Sequence, residues 1–316
     1  LLLVLAALLA MVRRDLPLSE LRARYAPAPS RFTQIEGMSV HYRDEGQGHP
    51  LVLLHGASSS LHTWDGWADM LRTHRRVIRL DMPGFGLTGP APDRDYSVAR
   101  LARVVGKLLD KLGIEQADLA GNSLGGRVAV TFALASPRRA RRLILIDAAG
   151  LSGQTPPRLF RVARSRIGGI LVRWLGPRFL VRANVEEVYA DKSRISEELI
   201  DRYQAMALRA GNRQAVLDRV SGPQGPVLDG LLKQLRLPTL LQWGAQDRWI
   251  PLSFGQRMHS GIAGSELIVY PKVGHVPMEE QPFVTARDAD AFLESTDAEP
   301  SLLDQLEDGD QDVPFD

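Results

Sequence analysis

Apolar positions along this chain follow two different periods. Short aliphatic runs at 31–36, 39–43, 51–55, 77–81, 117–120, 143–147, 239–243 and 266–270 have the length and composition of strands. Between most of the later runs the spacing becomes helical. Val98, Leu101, Val104, Val105, Leu108 and Leu109 fall on one face of a helix over 97–112, and 282–293 reads the same way near the end. A hairpin followed by strand and helix in alternation predicts an α/β architecture, a mostly parallel eight-stranded sheet with helices on both faces. In such sheets, chemistry gathers at the carboxyl ends of the strands.

The alternation stops after 150 and resumes near 238. The stretch 151–237 holds 13 arginines and two lysines against eight acids and reads as several helices without a convincing strand. Following a strand end, it is expected to be a helical cap over the sheet, which divides the core into 31–150 and 238–295. Its first part, 158–182, interleaves Leu159, Phe160, Val162, Ile167, Ile170, Leu171, Trp174 and Leu175 with seven arginines. One reading is a membrane-facing surface. The other is a helix packed on the domain beneath, with its arginines in water.

Composition narrows the class. A hydrophobic content of 44% and a charged content of 24% are those of a globular protein. The formal net charge is +2, yet 297–316 carries eight acids and no base, so the remainder has an excess of about ten positive charges. An acidic, solvated tail over 296–316 is expected. No basic cluster with interleaved aromatics is present, which argues against nucleic-acid binding. With no cysteine, disulfides, thiol catalysis and cysteine-ligated metal are excluded.

Leu1 to Val12 are all apolar and are followed by Arg13-Arg14. Twelve residues are fewer than the ~20 a bilayer span takes. Residues 1–14 read as part of an N-terminal membrane anchor, with a signal-peptide core and a buried helix as the other readings. Membrane association through this segment and the basic cap helix follows, with a cytoplasmic protein as the alternative. Residues 15–30, containing Ala26-Pro27-Ala28-Pro29, read as a short stiff linker.

The chemistry begins at Gly121-Asn122-Ser123-Leu124-Gly125-Gly126, between an apolar run and a helix-like run over 127–135. A serine on a strand-to-helix turn crowds the backbone, and glycines two residues before and two after remove the colliding Cβ atoms. The following helix directs its first N–H groups at any charge developing there. Ser123 is therefore the candidate nucleophile.

A serine hydroxyl needs a base, and the base an orienting acid. Of seven histidines, His275 in Val273-Gly274-His275-Val276-Pro277 follows the last predicted strand. For the acid, Asp247 lies in the turn after the preceding strand, and Asp147, which also ends a strand, is its rival. Attack on a carbonyl further needs two N–H donors. Leu124 can supply one, and the loop His55-Gly56-Ala57-Ser58 the other, through Ala57 or, next, Ser58. His55 itself reads as structural. Ser58, Asn122 and Val276 are the expected substrate contacts.

With His55-Gly56, Asp81-Met82-Pro83-Gly84-Phe85-Gly86, the turn at Ser123, Asp247 and Gly274-His275 in place, the chain resembles the α/β-hydrolase superfamily from about residue 31 to 293. The resemblance implies the order Ser123, Asp247, His275, a cap over 151–237, and no metal or organic cofactor. A serine at the turn departs from the dehalogenase and epoxide-hydrolase branches, which need a carboxylate nucleophile. Asn122-Ser123-Leu124-Gly125-Gly126 is similar to hydrolases that cut carbon–carbon bonds of aromatic ring-cleavage products. Those commonly have an aromatic residue after the histidine, where this chain has Val276. Cofactor-free haloperoxidases share the triad too. The leading expectation is hydrolysis of a carboxylic ester, small or lipid-like, through an acyl-Ser123 intermediate. Carbon–carbon hydrolysis and a low-turnover ligand-binding receptor on the same fold are the alternatives.

Overall fold

The structure is a computed structural model and describes residues 12–174 and 178–297. Eight strands form one sheet: β1 (Arg31–Ile35), β2 (Met38–Glu45), β3 (Pro50–Leu54), β4 (Arg76–Leu80), β5 (Ala117–Asn122), β6 (Ala140–Ile146), β7 (Thr239–Gly244) and β8 (Glu266–Tyr270). Their order is β1-β2-β4-β3-β5-β6-β7-β8, as expected for the mostly parallel sheet. Only β1 with β2 and β2 with β4 pair antiparallel.

The strand residues sort onto two faces by alternation. Val52, Leu54, Ile78, Leu80, Leu119 and Leu145 pack with Val104, Leu108 and Val128 on one side. Leu51, Leu53, Val77, Ala120, Ile144 and Ile146 pack with Trp67, Ala289 and Phe292 on the other. Parallel strands covered on both faces need apolar side chains at nearly every position, and all six residues of β5 are buried. β5 lies between β3 and β6 in the middle of the sheet. It continues to Asn122, two residues beyond the predicted end, so the strand delivers the chain directly to Ser123.

Between β6 and β7 the described residues form five α-helices: Arg158–Arg164, Arg166–Trp174, Arg178–Val188, Glu197–Leu208 and Asn212–Ser221. The basic stretch 158–182 is thus three helices rather than one, and Leu175 lies outside the described residues. Its apolar face is not fully packed, because Ile167, Ile170 and Trp174 are 73%, 57% and 53% exposed.

Residues 15–30 require a correction. They hold a helix, Leu18–Tyr25, in place of the expected linker. Leu21 packs with Leu87, Ala205 and Met206. Leu16 bridges to Arg209, and Arg213 pairs with Asp15 at 2.6 Å. The segment is therefore fastened to the cap. Of the anchor reading over 1–14, residues 1–11 lie outside the described residues; so do 298–316 of the acidic tail expected over 296–316, whose first two residues belong to the helix Pro282–Asp297. No helix among the described residues is long and apolar enough to cross a membrane.

Candidate active site

Ser123 has φ 53° and ψ −114°, a backbone region that costs a non-glycine residue about 1–3 kcal/mol. The glycines around it show what fixes that geometry. A Cβ on Gly121 would stand 2.4 Å from the Gly125 carbonyl, and one on Gly125 would stand 2.0 Å from the Leu54 oxygen. The helix Leu124–Ala135 begins directly after the serine. Ser123 N–H donates to the Ile146 carbonyl at 2.9 Å, which ties the turn to β6.

The loop after β3 closes on this turn. A Cβ on Gly56 would lie 2.7 Å from Asn122 Oδ1 and 3.4 Å from the Ser123 Cβ. His55 is fully buried between the Gly56 carbonyl, 2.7 Å from its Nδ1, and the Met82 N–H, which donates to its Nε2 at 3.0 Å. Burial lowers its pKa, and the neutral ring holds the loop in shape, as its structural reading requires. Neither Ala57 N–H nor Leu124 N–H has an acceptor among the described residues.

His275 and Asp247 are brought together by the turns after β8 and β7. Asp247 Oδ2 accepts from His275 Nδ1 at 2.7 Å, and both side chains are buried. Asp247 Oδ1 accepts from Trp249 N–H at 2.7 Å and Ile250 N–H at 2.9 Å, so the carboxylate is held on both oxygens. Asp147, the rival acid, directs Oδ1 to the Gly244 N–H at 3.0 Å and makes no hydrogen bond to the histidine.

Two expected substrate contacts are corrected. Asn122 is 2% exposed, and its amide donates to the Ile146 carbonyl at 3.2 Å and the His275 carbonyl at 3.0 Å. With both amide hydrogens spent on backbone carbonyls, it clamps the histidine loop to the strand that carries Ser123, and the side chain is buried in that role. Val276 is 6% exposed and joins the buried cluster of Trp64 and Met278. Ser58, by contrast, lines a cavity and stands at φ 62°.

Three groups escaped sequence reasoning. The Trp249 ring lies 5.3 Å from the His275 ring and 6.2 Å from Phe160 of the cap. Its place two residues after Asp247 was the available signal. Glu280 accepts from Gly274 N–H at 2.5 Å and from Ala190 and Asp191 N–H at 3.0 Å each, joining the histidine loop to the cap. Tyr203 of the cap donates to Glu279 at 3.1 Å and lies 3.5 Å from Ser59 Oγ, in the loop after β3.

A cavity of about 490 Å³ opens between the cap and the loop that carries Ser58 and Ser59. Its walls are mainly apolar, with Phe85, Val162, Leu171, Val181, Met206 and Val216 prominent. Of the three charged residues along it, Arg213 is paired with Asp15, Glu187 Oε2 receives Trp249 Nε1 at 3.4 Å, and Arg158 is exposed with no carboxylate partner among the described residues.

The sheet order, the glycine-crowded serine turn and the buried Asp247–His275 pair point to the α/β-hydrolase fold. The family model for the alpha/beta hydrolase fold matches residues 49–282, and the chain belongs to that family. It is 32% identical over 84% of its length to 97% of a 2-hydroxy-6-oxo-2,4-heptadienoate hydrolase from Pseudomonas putida. Among solved structures, a thermophilic esterase from Thermogutta terrifontis is 27% identical with a TM-score of 0.73, covering 85% of this chain and 99% of its own. A membrane phospholipase A is 26% identical with a TM-score of 0.74, covering 94% and 99% respectively.

Proposed function

We propose that the chain is a serine hydrolase that cleaves a carboxylic ester with a long apolar portion. Ser123 Oγ attacks the ester carbonyl while His275 Nε2 takes its proton, and Asp247 holds the imidazole through Nδ1. The tetrahedral oxyanion is received by the Ala57 and Leu124 N–H groups, each such donor being worth about 3 kcal/mol. His275 returns the proton to the leaving alcohol, which frees acyl-Ser123. The same ring then activates water to release the acid.

The observation that carries the ester reading is the cavity, which reaches the site at Ser58, next to Ala57; Ser123 and His275 themselves are not among its lining residues. Its volume is that of a small-molecule site, and its apolar walls suit a hydrocarbon chain better than a charged substrate. Arg202, the cap arginine beside the oxyanion loop, is committed to Asp65 and Glu279 at 3.7 Å each and is not available to a substrate carboxylate. A series of chromogenic esters of increasing acyl length tests this reading. We expect kcat/KM to rise about fourfold per added methylene until the cavity is full, from ~0.8 kcal/mol per buried CH₂. Val216→Trp should erase the gain for long chains and leave the shortest ester unaffected. A flat series would refute an acyl-chain site.

Carbon–carbon hydrolysis is the second reading, and the relatives favour it more than they favour the ester one. Several carry names such as 2-hydroxymuconate semialdehyde hydrolase or 2-hydroxy-6-oxononadienedioate hydrolase, whose substrates are acidic. One feature of the cap agrees with an acidic substrate. Arg219 has no carboxylate partner among the described residues, and its buried Nε has no acceptor. Burial, then the neighbouring Arg127, pushes its pKa down to about 10, and its guanidinium lies 5.7 Å from the Phe160 ring centre.

Membrane association is proposed on the exposed Ile167, Ile170, Trp174 and Phe179, set among arginines, together with the apolar sequence of Leu1–Met11. Co-sedimentation with anionic vesicles should weaken when Ile167 and Ile170 are both changed to Asp. Unchanged sedimentation would remove the cap face from the account.

A further inference from the structure

Asp147 is the buried acid that the mechanism above leaves unused. It directly follows β6, stands in the left-handed region at φ 43°, is 0% exposed, and is fixed by its N–H to the Gln242 carbonyl at 3.1 Å and by Oδ1 to the Gly244 N–H. Its Oδ2 is buried and receives no donor. A carboxylate oxygen of Asp147, one of Asp247 and a ring nitrogen of His275 all lie within 4.8 Å of one another. Two carboxylates at such range, away from water, repel if both ionise, and one proton shared between them removes the repulsion.

We propose that Asp147 is a positioning residue for the Asp247–His275 pair, its carboxyl O–H donating a hydrogen bond to the Asp247 carboxylate. The bond gives Oδ2 the partner it otherwise lacks. It also adds to the restraints on Asp247 from His275 and the Trp249 and Ile250 N–H groups, so that the carboxylate keeps one orientation. The electrostatics agree. Burial pushes the Asp147 pKa well above the usual carboxylate range, and the Asp247 charge and Glu280 push in the same direction, against the Gly244 N–H. The titratable groups bearing on Asp147 are Asp247 after β7, His275 and Tyr270 on the β8 side, and Glu280 from the helix Pro277–Glu280. Of these only His275 can become cationic. This inference rests on His275 being the working base.

Asp147→Asn and Asp147→Ala separate the possibilities. The amide of Asn keeps an acceptor for Gly244 N–H and a donor for Asp247, so near-wild-type kcat/KM is expected, with the acid limb of the pH profile within about half a unit of wild type. Ala has neither group, and kcat/KM should fall roughly 10- to 100-fold. An Asn variant whose acid limb drops by about one unit or more would overturn the proposal, because that is the loss of a negative charge beside the imidazole. A second readout needs no substrate and survives failure of the ester reading. The infrared difference between wild type and Asp147→Asn at neutral pH should contain the carbonyl stretch of a protonated acid. A carboxylate stretch in its place would overturn the assignment.

Discussion

Ser123→Ala is expected to reduce kcat/KM on a chromogenic ester by about 10⁴- to 10⁶-fold, the range seen when a serine nucleophile is removed from an assembled site. The fold should be unaffected. The turn is set by Gly121 and Gly125, whose neighbours leave no room for a side chain, and by the Ser123 N–H to Ile146 bond, which alanine keeps. Residual activity would come from the Ala57 and Leu124 N–H groups and the cavity. Equal rates in variant and wild type would end the hydrolytic account of Ser123. Tight ligand binding without turnover in both proteins would support a receptor instead.

Asp247→Asn is the second large effect, about 10⁴-fold in kcat. Asn Oδ1 can still accept from Trp249 and Ile250 N–H, so the turn after β7 should keep its shape. The amide NH₂ would then face His275 Nδ1, and two donors cannot share a bond. The imidazole must turn over or adopt the tautomer with its proton on Nε2, where it can no longer accept from Ser123. The measurement is kcat beside the thermal midpoint. Loss of activity at an unchanged midpoint is expected, whereas a loss below tenfold would assign the orienting role elsewhere, with Asp147 the nearest carboxyl group.

Much of this site is local and therefore readable from sequence. The glycines around Ser123 answer to atoms a few residues away, such as the Gly125 carbonyl against Gly121. Asp247 and His275 each follow a strand run, and parallel strands bring their ends to one edge. What sequence left unread depends on partners far along the chain. Asn122 reads as a substrate contact until its amide is found on the carbonyl of His275, 153 residues later. The segment 15–30 has linker composition, with little apolar content beyond Leu16, Leu18 and Leu21. It folds as a helix because Leu87, Ala205 and Met206 supply the apolar surface. The split of 158–182 into three helices follows local breaks, since Ser165 is extended and separates two helical turns that share one arginine-rich pattern. Glu280 gave no signal, because an acid three residues after the proline that starts a turn is ordinary until three backbone N–H groups converge on it.

The sheet and the serine turn are common to hydrolases of different substrates, and the choice between them lies in the cap. An apolar cavity beside Ser58 favours an acyl chain, whereas Arg219 and the named relatives favour an acid. The most direct test is to measure kcat/KM for an octanoate ester and for a dienoic keto acid on the same preparation, with Ser123→Ala as the blank. The account predicts Ser123-dependent ester cleavage that exceeds loss of the keto acid's yellow absorbance by at least about tenfold, a difference of ~1.4 kcal/mol in transition-state stabilisation. Faster bleaching of the keto acid than cleavage of the ester would contradict it and make the chain a carbon–carbon hydrolase.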